Sequence, residues 1–218
     1  MQNGVFQTGN PRWSAVFSLF MGVMALIAAE FIPVSLLTPI ARDLAVTEGM
    51  AGQTVTAVGV FAVLTSLLLA PLTGNIDRRR ILLAFSAMLA ASYMLIGIAP
   101  TYPIMLIGRA ILGICVGGFW SLASAVTLQL VPTKDVPRAL SIVYAGVSVA
   151  TIIALPVASW IGHLIGWRNV FFLGALMAAF GFVWQYRALP SLPARAGSGF
   201  RDMSALLRRT WILAGIGG

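Results

Sequence analysis

SAVFSLFMGVMALIAAEFIPVSLLTPI, from Ser14 to Ile40, carries a single charge, Glu30. About 20 consecutive apolar residues suffice for a helix to cross the hydrocarbon core of a bilayer, and this run is longer. It continues past the small pair Ala28 and Ala29 and is preceded by only one base, Arg12, so it reads as a membrane span and not as a cleaved leader.

Working outward, five more long uncharged runs follow: Ala51 to Thr73, Ile81 to Ala99, Tyr102 to Val131, Ala139 to Ile165, and Asn169 to Tyr186. The breaks between them hold Arg42, Asp43 and Glu48; Asp77 through Arg80; Pro100 to Pro103; Pro132 to Arg138; and Gly166 to Arg168. Six spans with such short connections use most of the 218 residues and leave no room for a soluble catalytic domain. The composition agrees: 59% hydrophobic and 9% charged, with a mean hydropathy of +0.94. Soluble domains carry about 25% charged residues. The predicted fold class is all-α transmembrane, a six-helix bundle of 3+3 inverted-repeat design, spanning 14–188 after a cytoplasmic N-terminus at 1–13.

The formal charge of +8 does not mark a nucleic-acid partner, because the bases sit in the gaps between spans. With the N-terminus in the cytoplasm, the inside segments hold Arg12, Arg78 to Arg80, Lys134, Arg138, Arg187, Arg195, Arg201, Arg208 and Arg209, against Arg42 and Arg168 outside. That bias orients the bundle. Residues 189–209, rich in Pro, Ala, Gly, Ser and Arg, read as a cytoplasmic interdomain linker. Residues 210–218 restart an apolar run too short to cross a membrane, so the sequence is expected to be cut short at the start of a seventh span. The lone Cys115 leaves no partner for a disulfide, and neither His163 nor any carboxylate is spaced for a metal site. Gly118-Phe119-Trp120-Ser121 is not a nucleophile elbow, so an enzyme is not expected.

Small residues at spacing four mark faces where helices approach closely in lipid. Span five carries Gly146, Ala150, Ala154, Ala158 and Gly162, about 24 Å of stripe at 1.5 Å per residue. Span two carries Ala62, Ser66, Ala70 and Gly74. Two uses fit these stripes: packing within the six-helix unit, or a seam to a second six-helix half, since spans two and five are equivalent in an inverted repeat. Gly113 and Gly117, with Gly118, allow either tight contact or room for a ligand. Pro33, Pro39 and Pro156 each remove a backbone donor and can bend their spans.

Two charges lie in the wrong solvent. Glu30 falls about 5 Å and Arg109 about 10 Å to the outer side of their spans' midpoints. An acid near the centre of a span costs about 2.5–3.5 kcal/mol to insert, so it pairs, faces water or stays protonated. Glu30 and Arg109 are read as a proton-coupling pair, with a purely structural pair as the alternative. Trp120 and Ser124 are candidates for a substrate-cavity wall, though an aromatic there also suits a packed or lipid-facing position.

Several motifs together resemble the drug:proton antiporter branch of the major facilitator superfamily: Glu-Phe-Ile-Pro from Glu30, Asp77-Arg78-Arg79-Arg80, Arg109-Ala-Ile-Leu-Gly113, and Gly166-Trp167-Arg168. The family's loop between spans two and three usually reads G-x-x-x-D-R-x-G-R-R; here the basic run is shorter and Gly74 is displaced by one. The family's span-five motif is approximated around Pro156 with alanines for glycines. The resemblance implies a cytoplasmic gate at Asp77, Arg78 and Arg79. A closer similarity, carried by EFIPVSLLTPIARDL, LIGRAILGICVGGFW from Leu106, LVPTKDVPRALS from Leu130 and LIGWRNVFF from Leu164, is to that superfamily's purine-ribonucleoside exporters. It implies efflux of inosine- and guanosine-type nucleosides across a bacterial inner membrane, driven by a proton gradient with no cofactor. Partners would be the lipid bilayer, the small-molecule substrate and a C-terminal six-helix half. The rivals are a broad drug or sugar exporter and a non-transporting membrane sensor.

Overall fold

The computed structural model describes residues 11–72 and 76–193. Its helices are α1 (Trp13–Ser35), α2 (Leu37–Asp43), α3 (Glu48–Leu72), α4 (Arg78–Ile98), α5 (Tyr102–Leu130), α6 (Val136–Ile165) and α7 (Trp167–Ala188), with one 3₁₀ turn at Thr133–Asp135. Six of them, all but the short α2, are long and apolar enough to cross a membrane. Each expected span meets one of these within a few residues at either end.

The first run is not one helix. It stops at Ser35, turns at Leu36, whose N–H donates to the Pro33 carbonyl, and restarts as α2. Pro39 is the reason: it lacks the N–H that a continuous helix would aim at the Ser35 carbonyl. At the other end of the chain, α6 and α7 are joined by Gly166 alone, whose φ of +86° is the left-handed conformation that glycine adopts without strain.

The helices pair α1 with α6, α3 with α5, and α4 with α7. Exchanging the first three spans for the last three maps the first pairing onto the second and the third onto itself, the symmetry of a 3+3 repeat. Glycines set the distances. A Cβ on Gly117 would collide with the backbone carbonyl of Ala62, and one on Gly113 with that of Val58, so α5 lies against the α3 backbone. Gly174 takes the Tyr93 ring, and Gly97 the Phe172 ring, where α7 crosses α4.

Gly146 makes the matching contact between α6 and α1, against the Phe20 carbonyl, and Gly162 faces Leu36. The span-five stripe is therefore spent on α1. Of the two uses open to this stripe, the close approach at Gly146 and Gly162 is packing within the six-helix unit. In span two, Ala62 meets Gly117 and Ser66 is exposed, while Gly74 and the side chain of Ala70 lie outside the described residues. Between the Gly146 and Gly162 contacts the alanines leave a groove of about 180 Å³, bordered by Met24, Ala28, Ala150, Ala154, Ala158 and Met177 and open to the outside where Ile153 and Val157 are exposed. Its lining is wholly apolar, and no candidate polar residue borders it.

Spans two and five are the least buried of the six. Leu64, Leu67 and Leu68 stand exposed on α3, and Ile152, Ile153 and Trp160 on α6. One buried polar link crosses the core: the Ser86 hydroxyl donates to Gln185 Oε1 at 2.6 Å, and Gln185 Nε2 donates to the Ser18 carbonyl at 3.2 Å. It ties α4, α7 and α1, and nothing in the hydropathy pattern announced it.

Candidate functional site

Pro33 shapes the surroundings of Glu30. With no N–H it cannot bond the carbonyl four residues back, which belongs to Ala29. Arg109, fully buried in α5, fills that place: its Nη1 donates to the Ala29 carbonyl at 2.6 Å. Its Nη2 reaches the Glu30 carbonyl at 3.2 Å and its Nε the Thr54 carbonyl at 3.1 Å. One guanidinium thus binds the backbones of α1 and α3 to α5. Tyr93 reinforces the same turn, its hydroxyl donating to the Ala25 carbonyl at 2.8 Å.

The Glu30 side chain is half-buried. Among the described residues no hydrogen bond or ion pair reaches its carboxylate, although it lies close enough to Arg109 for the two charges to act on each other. The structure brings the expected pair together through backbone and leaves the carboxylate open.

At the Asp77 end of the bundle a second constellation forms. Asp77 caps α4: Oδ1 accepts from the Arg79 N–H at 2.8 Å and the Leu192 N–H at 2.9 Å, and Oδ2 accepts from the Ser191 hydroxyl at 2.5 Å. Burial pushes the Asp77 carboxyl upward, but these three hydrogen bonds and the Arg80 charge outweigh it and hold the group below the ordinary carboxylate value. Arg78 donates its N–H to the Leu192 carbonyl at 3.0 Å. Arg79 sends Nη2 to the Tyr186 carbonyl at 2.6 Å and sits 5.3 Å from the centre of that residue's ring. Three arginines in a helix's first turn oppose its dipole, and Arg79 gains instead from a carbonyl at the far end of α7. The expected linker therefore begins docked, with Leu189 and Leu192 buried. Residues 194–218, which hold the rest of it and the restarted apolar run, lie outside the described residues.

Trp120 and Ser124 share one neighbour that sequence reading did not single out, Tyr144 of α6. The Trp120 and Tyr144 rings stack with centroids 5.6 Å apart and planes within 11°. The Ser124 and Tyr144 hydroxyls are 2.8 Å apart. A tyrosine in an apolar run whose neighbours two helices' length away are unknown gives no periodic signal. At the opposite end of the bundle, Asp43 pairs with Arg168 and accepts from Trp167 Nε1 at 3.1 Å, while Arg168 Nη2 donates to the Ala99 carbonyl at 2.9 Å. Charges read as loop signals thus clamp α2, α4 and α7. His163 is exposed and Cys115 is buried in the core. Among the described residues no cluster of His, Cys, Asp or Glu is placed to hold a metal ion.

The bundle is that of a multi-pass membrane protein, with six helices long and apolar enough to cross a membrane. The chain belongs to the Major Facilitator Superfamily, whose family model matches residues 14–218. It is 43% identical over 206 residues to the purine ribonucleoside efflux pump NepI of Salmonella paratyphi B and equally to that of Salmonella typhimurium. The match covers 94% of this chain and 52% of each pump, so the chain spans about half the length of the curated relatives it matches. Among solved structures, a bacterial homolog of the human lysosomal transporter Spinster, inward-facing and unoccupied, superposes with a TM-score of 0.73 at 16% identity, covering 84% of this chain and 44% of that one. A peptide transporter POT in complex with sulfate gives 0.74 at 14%, covering 99% and 46%. These two show the fold alone.

Proposed function

We propose that this chain forms the N-terminal half of a proton-coupled exporter of purine ribonucleosides such as inosine and guanosine. It sits in a bacterial inner membrane with its N-terminus in the cytoplasm and works by alternating access. The observation that carries this reading is the 43% identity across 94% of the chain to pumps named for that substrate. The geometry supports it at three places.

Glu30 is the proton carrier. Its carboxylate is open and unpaired by any described side chain, while Arg109 fixes the backbone on which it rides. Protonation changes the charge facing Arg109 and shifts the balance between outward-open and inward-open states. Asp77, Arg78 and Arg79 form the cytoplasmic gate, tying the start of α4 to the end of α7. Trp120 and Ser124 belong to the cavity wall. A second six-helix half in the longer protein covers the exposed apolar faces of α3 and α6.

Cells lacking their own nucleoside exporters and expressing the full-length protein test the substrate class. Lower intracellular inosine and resistance to toxic purine nucleosides, both abolished by a protonophore, are expected. Resistance to cationic drugs or export of sugars with unchanged inosine would favour the broader exporter instead.

A further inference from the structure

The exposed surface of α6 changes character along its length. Toward its C-terminal end the exposed side chains are mostly apolar, among them Ile152, Ile153, Val157, Trp160 and Leu164, with His163 in the last turn. Toward its N-terminal end, after the exposed Pro137 and Arg138 and beside Ala145, the helix exposes Ser141, Tyr144 and Ser148 on one helical face at spacings of three and four. Against Tyr144 on α5 stand Trp120 and Ser124. Exposed polar side chains within a span suit a water-filled path and not acyl chains, whereas the middle of α7 exposes Leu173, Leu176, Phe180 and Val183.

Beyond Arg138, which is exposed in the first turn of α6 with its guanidinium 5.0 Å from the centre of the Trp13 ring, this polar face is uncharged. From Ala110 to Thr133 and from Ala139 to Gly162 the chain holds no Asp, Glu, Lys, Arg or His. A neutral ligand with hydroxyls and a flat ring would meet matching groups between Ser141 and Ser148. The flat ring has a receptor. Trp120 covers one face of the Tyr144 ring, and the Ser124 hydroxyl fixes its phenolic end, yet Tyr144 remains 43% exposed. Trp120 stacks on one ring face, and among the described residues no second aromatic ring stacks on the other. Ser148, one turn along, is exposed, and among the described residues no hydrogen bond reaches its hydroxyl.

We propose that Tyr144 is the stacking platform that selects substrate: the purine base lies on its open face, Trp120 backs the ring, and Ser124 sets its tilt. The proposal rests on the nucleoside reading above and adds the residue that recognises the base. Base–aromatic stacking is strong and tolerant of which base is presented, which suits a carrier of both inosine and guanosine. The two aromatic rings already in register also present a surface whose orientation needs no further ordering on binding.

Labelled inosine binding to the full-length protein in lipid vesicles tests it. Tyr144→Leu keeps the side chain apolar and removes the ring; the dissociation constant is expected to rise roughly tenfold or more, while Tyr144→Phe recovers most of the affinity. Free ribose should compete poorly with wild type and hypoxanthine well. A second measurement does not depend on the leucine variant folding: in a Ser148→Cys protein, bound inosine is expected to slow labelling by a maleimide. If wild type binds inosine but Tyr144→Leu binds it equally, or if inosine leaves the Ser148→Cys thiol unprotected, the platform is overturned while the nucleoside reading stands. If wild type binds neither inosine nor guanosine, both fall.

Discussion

At the scale of single residues, the decisive relation is between a missing donor and a buried charge. Pro33 frees the Ala29 carbonyl, and Arg109 takes it together with two others. Burying an arginine in a span is costly unless its donors are satisfied, and three carbonyls satisfy it without neutralising it. Lysine cannot make this fork, since its compact ammonium lacks the planar spread of donors. Arg109→Lys is therefore expected to destabilise the full-length protein by about 1–3 kcal/mol, the penalty of leaving a buried acceptor unpaired. Adding Pro33→Ala should recover part of that loss, because the restored N–H bonds Ala29 along the helix. Thermal unfolding in detergent checks the pair; equal loss with and without the proline would contradict the assignment. Glu30 and Arg109 were legible in the sequence as charges inside spans. That they meet through a carbonyl was not, since hydropathy reports where a residue sits and not which atom it reaches. Trp120 and Ser124 were legible as polar and aromatic groups among glycines; Tyr144 was hidden because only tertiary packing brings α6 alongside.

At the scale of elements, the six spans were legible from apolar length alone, and their ends from charges and prolines. The split of the first span at Leu36 was written in Pro39 but looked like a bend, because a proline near a helix end serves either purpose. The small-residue stripe of α6 announced a close neighbour without saying which, and that neighbour is α1. The same helix offers a controlled comparison. A methyl group on Gly146 meets the Phe20 carbonyl, a backbone atom that cannot swing aside, whereas Ala154 borders the open groove of about 180 Å³. Gly146→Ala is expected to cost about 1–3 kcal/mol through overpacking. Ala154→Val projects into that open groove and should leave the unfolding midpoint within a few degrees of wild type. A larger loss at Ala154 than at Gly146 would mean that α6 lies differently on α1.

At the scale of the whole molecule, the pairings α1 with α6 and α3 with α5 enclose the small residues and turn large apolar side chains of spans two and five outward. The polar face of α5 and α6 and the open carboxylate of Glu30 lie on opposite sides of the midplane, by about 15 Å along the membrane normal if each helix is centred in the bilayer. A nucleoside on Tyr144 and a proton on Glu30 would thus not compete for one place; their exchange has to pass through the conformation of the bundle, which α1 and α5 share at Arg109. The most direct measurement is uptake of labelled inosine by inside-out vesicles holding the full-length protein, with the vesicle interior made acid. Accumulation that follows the pH gradient and disappears in Glu30→Gln is expected; accumulation that is indifferent to the gradient, or unchanged by that substitution, would contradict proton coupling at Glu30.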